Sequence, residues 1–174
     1  MLWLKTLGVV LVVSGFGSYG LMGAKSMDQR VEQIKNIRLA MGFLEKEIAY
    51  LHTPLPLALF RSGQCIPAPV NRLFENCSRI LQDRQGITIN EAWSQSLEKI
   101  RGRSDLNDGD ITILQAVSSQ MGMSGVEEQK KLFTMIQEQL SIQENQARLE
   151  AESGRKLRSY GGFILGATVV LLLL

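Results

Sequence analysis

Three side chains carry chemistry that could support catalysis or metal binding: His52, the only histidine, and the cysteines Cys65 and Cys77. An imidazole and two thiolates make three potential zinc ligands, but their spacing matches no recognised metal motif. Any acid–base mechanism using histidine would rest on His52 alone. His52 stands just before Pro54 and Pro56, at what reads as a helix end, where histidine commonly caps carbonyls. That structural role is the one expected of it. There is no G-x-x-x-x-G-K-[ST] phosphate loop and no G-x-G-x-x-G turn. The paired carboxylates Glu45/Glu47 and Glu127/Glu128 belong to charged helix faces. No catalytic, cofactor-binding or metal-ligating residue is assigned, so the chain reads as a non-enzyme that needs no cofactor.

The elements holding these residues are helical throughout. Ile34, Met41 and Ile48 repeat at seven, and Ile37, Leu44 and Leu51 repeat three positions later, which predicts a helix over 27–51 with an a/d seam. Pro54 ends it, because the residue before proline avoids the α region. Pro56 then enters the first turn of a short helix over 57–62, stopped by Gly63. Val70, Leu73, Phe74, Cys77, Ile80 and Leu81 predict a third helix, closed by Gly86. Asn90 is expected to cap a fourth carrying Ala92, Trp93, Leu97 and Ile100. Asn107 or Asp108 can cap a fifth, with Ile111, Leu114, Val117 and Met121 inward. Ser124 and Glu127 form a capping box that opens a long last helix, with Val126, Phe133, Ile136, Leu140 and Ala147 inward. Ser153-Gly154 is the one expected kink in that helix. No segment alternates as a strand should, and the faintly strand-like GITIN over 86–90 is too short to build a sheet. The fold class is all-α: a bundle of about six helices.

The two ends are apolar. Nineteen uncharged residues separate Lys5 from Lys25, and sixteen run from Ser159 to Leu174. As helices they reach about 28 Å and about 24 Å, against roughly 30 Å of bilayer hydrocarbon. Lys5, Lys25 and Arg30 flank the first stretch, while Arg155, Lys156 and Arg158 precede the second. Without these six and Asp28, 13 basic and 16 acidic residues remain, so the middle is net negative. Positive charge therefore sits at the expected membrane surface, not on a nucleic-acid face. A cleaved secretory signal is the rival for the first stretch, but it lacks an A-x-A site and is followed at once by basic residues. The organisation expected is a transmembrane helix over 1–25, a cytoplasmic bundle over 26–158, and a second transmembrane helix over 159–174 continuous with the last bundle helix. Ser14 and Ser18 in the first anchor, and Gly162 and Gly166 in the second, have the small-xxx-small spacing that lets membrane helices pack closely. Such packing is open to the two anchors or to another copy of the chain, which makes a homo-oligomer compatible with the sequence.

Two tracts carry a family resemblance. Residues 45–59, EKEIAYLHTPLPLAL, resemble the "EI.Y..TPLP.AL" signature of the stage III sporulation protein AB family, and 122–129, GMSGVEEQ, are similar to its "LG.SD.E.Q" turn. Met121 stands for the usual leucine and Gly125 for the usual acidic residue. Ala92-Trp93 and the glycine-containing apolar terminus also fit, so the resemblance spans essentially the whole chain. It implies a component of the channel complex joining mother cell and forespore. Its domain would resemble the cytoplasmic helical domains of the type II secretion and type IV pilus platform protein F family. The implied partners are a secretion-type ATPase of the same complex, like stage III sporulation protein AA, and other membrane proteins of the channel. The implied location is the mother-cell membrane around the forespore, with the bundle facing the mother-cell cytoplasm. The alternative from a different class is a membrane-anchored helical sensor or receptor, whose domain would lie outside the cell. A metal- or thiol-dependent enzyme built on His52, Cys65 and Cys77 is the third.

Overall fold

The computed structural model describes the backbone of residues 2–83, 86–120 and 126–173, and the side chains of 23, 25–83, 86–118 and 131–154. Its order is α1 (Leu2–Ala49), α2 (Leu55–Gln64), α3 (Asn71–Asp83), α4 (Ile89–Arg101), α5 (Asp108–Gln120) and α6 (Val126–Leu173). All six are α-helices, and no strand occurs among the described residues. One difference from expectation concerns a long helix. The helix expected over 27–51 is the C-terminal half of α1, which runs back unbroken to Leu2. α6 runs as one helix through Ser153-Gly154. Among the described residues no helix is long and apolar enough to cross a membrane. The side chains of nearly all of the first expected anchor and the whole of the second, including Ser14, Ser18, Gly162 and Gly166, lie outside the described residues, as does the Ser124–Glu127 box.

The chain divides into two compact units. The larger, Arg30–Asn145, contains α2 to α5 and the inner parts of α1 and α6. Within it α2 packs on α3, α3 on α4 and α4 on α5. Their centre is Trp93, fully buried, edge-on to Phe74 at 5.5 Å between ring centroids. Its indole N–H donates to the Leu114 carbonyl at 2.8 Å, so one side chain joins three helices and its own buried donor is met. Ile34, Ile37, Met41 and Leu44 of α1, and Phe133, Ile136 and Leu140 of α6, are buried as their heptad spacing requires. Leu51 departs from that seam and is 63% exposed. α1 ends at Ala49, and the turn beyond it no longer keeps the heptad phase.

The other unit comprises 1–29 and 146–174. Ala147 and Ala151 are buried there. Gly154 presses on Met27, since an added Cβ would lie 2.7 Å from its Sδ. Gly154 thus permits a close approach.

Helix ends explain the remaining differences. Gly63 does not stop α2: it lies inside the helix, where a Cβ would meet Phe74 Cβ at 3.1 Å and the Asn71 carbonyl at 3.2 Å. It is a point of close approach between α2 and α3. α4 is capped by Thr88 and not Asn90, through a capping box in which Thr88 and Glu91 exchange bonds. The GITIN stretch is therefore a turn leading into a helix start, with Gly86 at φ +89°. α5 takes Asn107, whose Oδ1 accepts from the Asp110 amide at 2.8 Å while Asp110 accepts from the Asn107 amide at 2.9 Å.

Candidate functional site

The TPLP tract forms the elbow between α1 and α2. α1 unwinds by widening: the Leu51 amide donates to the Lys46 carbonyl at 3.2 Å, and the Thr53 amide reaches back to the Glu47 carbonyl at 2.9 Å. Closing that loop places His52 in the left-handed region, at φ 50°. The expected carbonyl cap is thus made by the backbone, and the exposed His52 side chain has no hydrogen-bond partner among the described residues. Pro54 is the N-cap residue of α2, where Pro56 occupies the first turn, and no side chain caps that end. α2 begins two residues earlier than the sequence suggests.

Glu47 is the hub of the elbow. Thr53 Oγ1 donates to its carboxylate at 2.7 Å and Arg61 Nη1 at 3.0 Å. The Thr53 bond, with Arg61 beside it, holds the Glu47 carboxyl below its ordinary value despite partial desolvation. Ser78 Oγ donates to the Pro56 carbonyl at 2.6 Å, which fastens the tract to α3. Around this frame Tyr50, Leu51, Leu57 and Phe60 are exposed. The elbow is therefore a rigid, hydrogen-bonded corner with an apolar surface. Its exposed side chains are those of a contact surface.

A second polar cluster lies in the larger unit and was not legible as such. Arg30 is 9% exposed and forks onto Asp110, Nε to Oδ2 at 2.7 Å and Nη2 to Oδ1 at 3.0 Å. Asp110 also accepts from Gln143 Nε2 at 2.7 Å. Gln33 and Asp105 exchange two bonds of 2.9 Å, and Arg38 pairs with Glu144 at 3.0 Å. Sequence reasoning placed Arg30 on the membrane flank. It is instead consumed by a buried ion pair, whose two-pronged geometry satisfies a carboxylate that the fold has taken out of water. The available signals were polar residues at 30, 33 and 36 on one face of α1, and the N-x-x-D pattern at 107–110.

The candidate ligands are not brought together into a site. Cys65 is exposed and Cys77 buried, both as free thiols, and burial pushes the Cys77 thiol up to about 12. Among the described residues no group of three His, Cys, Asp or Glu is placed to hold a metal ion.

Comparison with known proteins agrees with this picture of a helical protein. Stage III sporulation protein AB of Bacillus subtilis (strain 168) is 30% identical over 171 residues, which is 98% of this chain and 99% of that protein. A solved structure of stage III sporulation protein AB (SpoIIIAB) superposes with a TM-score of 0.66 at 28% identity, over 71% of this chain and 96% of that one. The family model for stage III sporulation protein AB matches residues 5–174. The chain belongs to the stage III sporulation protein AB family.

Proposed function

We propose that this sporulation protein is a non-enzymatic membrane platform of the channel complex between mother cell and forespore. Its bundle docks a secretion-type ATPase on the mother-cell side and couples it to assembly across the envelope. The observation that supports this reading is the pair of 48-residue helices, each continuous from an uncharged terminal stretch into the bundle. Each is roughly 72 Å long, which leaves about 40 Å beyond a bilayer's hydrocarbon to enter the bundle. Lys25 on α1, with Arg155, Lys156 and Arg158 on α6, remains the basic flank that favours this orientation once Arg30 is withdrawn. The bundle's likeness to the platform protein F family belongs to the same proposal.

The experiment is purification of the tagged full-length chain from sporulating cells, with crosslinking, followed by identification of what comes with it. Recovery of the ATPase and of other channel membrane proteins supports the platform. Recovery of channel proteins without the ATPase, even after crosslinking, removes the coupling role.

A further inference from the structure

One face of α1 within the larger unit carries an exposed apolar stripe. Leu39 is 50% exposed and Phe43 39%, and Tyr50, one turn beyond Lys46, is also exposed. Positions 39, 43 and 46 follow the four-and-three spacing that lines residues up along a helix, over roughly 10 Å, while Tyr50 lies past the end of α1. Beside the stripe runs a groove of about 430 Å³, bounded by α1 and by Gln137 of α6. Gly42 is its floor. A Cβ there would come within 3.3 Å of Gln137 Nε2, so the bare glycine gives the groove its depth.

The rim identifies the occupant's charge. Lys35, Arg38 and Lys46 line the groove, against one carboxylate, Glu45. Arg38 is turned to Glu144, and Lys35 has only a 3.5 Å exposed contact with Glu32. Lys46 has no side-chain partner among the described residues. Two exposed ammonium groups thus bracket an apolar pair one helical turn long. Apolar anchors at helical spacing between like charges are the mirror image of an amphipathic helix of opposite charge.

We infer that the Leu39–Phe43 groove of α1 is a docking site for an acidic amphipathic helix of a partner protein, with Lys35 and Lys46 engaging its carboxylates. The inference deepens the platform reading by naming the surface on which its cytoplasmic partner docks, and it rests on that reading for the partner's identity alone.

The test uses the full-length chain in lipid nanodiscs and two probes. One is the purified secretion-type ATPase. The other is a labelled helix of about 18 residues with leucines along one face and glutamates elsewhere, beside its lysine counterpart. The glutamate helix is expected to bind at least about tenfold tighter than the lysine helix, and more weakly as salt rises. Phe43→Ser, Leu39→Ser and the double change Lys35→Glu/Lys46→Glu are each expected to weaken it about tenfold. All four positions are exposed, so unchanged helical circular dichroism is expected, and Ile142→Ser on α6 should change nothing. The ATPase should follow the same pattern. If the glutamate helix obeys the pattern but the ATPase does not bind, the groove stands and the ATPase reading falls. If both helices bind equally, or the α1 variants bind like wild type, the groove is overturned. Displacement of the glutamate helix by anionic lipid in the nanodisc would make the face a headgroup surface and overturn it too.

Discussion

Glu47 shows how a single carboxylate can govern an elbow. It accepts from Thr53 and Arg61 while its carbonyl receives the Thr53 amide, so one residue ties the end of α1 to the turn before α2 and to the last turn of α2. Its lowered folded-state value, caused first by the Thr53 hydroxyl, means that the ionised form favours the folded state. That stabilisation is fully present above the ordinary carboxylate value of 4.5 and is lost as pH falls through the lower folded value. Thr53→Val is therefore expected to lower the melting temperature at neutral pH, and the gap from wild type should shrink as pH drops below about 4.5. Thermal melts across that range check it. The sequence marked this tract through its prolines, and both keep the roles that their fixed φ dictates. It did not mark Glu47, whose partners lie 6 and 14 residues away and meet only after the chain turns.

Elements depend on where they touch. At Gly63 the contact between α2 and α3 leaves no room for a side chain, because the Asn71 carbonyl and Phe74 Cβ are backbone or near-backbone atoms that cannot swing aside. Gly63→Val is expected to destabilise by about 2–3 kcal/mol, from overpacking of a close interface. Gly102, which meets nothing, provides the comparison: Gly102→Ala should shift the melt little. The buried Arg30–Asp110 pair joins α1 to α5, and its energetics differ. Asp110→Leu alone leaves a buried guanidinium short of its partner and is expected to cost about 3–5 kcal/mol. Arg30→Met with Asp110→Leu should recover most of that loss, since removing both charges also removes their desolvation cost. Denaturant titration of the four proteins of this cycle gives the coupling directly. Periodicity identified the apolar faces of these helices because burial repeats with the helical turn. Gly63 read as a stop, since a glycine at a helix terminus and a glycine at a helix crossing look alike in one dimension.

At the scale of the whole molecule, the platform proposal predicts on which side of a membrane the larger unit lies. Cys65 and Cys77 make a built-in reporter. The exposed thiol should react readily, while the buried one, pushed up to about 12, should stay inert until the fold opens. In intact sporulating protoplasts a membrane-impermeant maleimide is expected to leave the chain unmodified, and permeabilisation should expose Cys65 alone to labelling. Modification of Cys65 in the intact preparation would put the bundle on the outer face and overturn the platform proposal, favouring the sensor.

What the sequence determined by itself was the class of the fold, the inward face of nearly every helix and the family. Those depend on local spacing or on contiguous motifs, and both survive in a linear string. Trp93, Phe74 and Ile34 could be placed in the core because an apolar side chain has nowhere else favourable to go. Tertiary structure alone decided the fate of the polar residues. Arg30 went to Asp110, 80 positions away, and not to a lipid surface. Lys46 was left facing solvent beside an open groove. A charged side chain finds its energy in whichever counter-charge the fold delivers, and that delivery has no period to read.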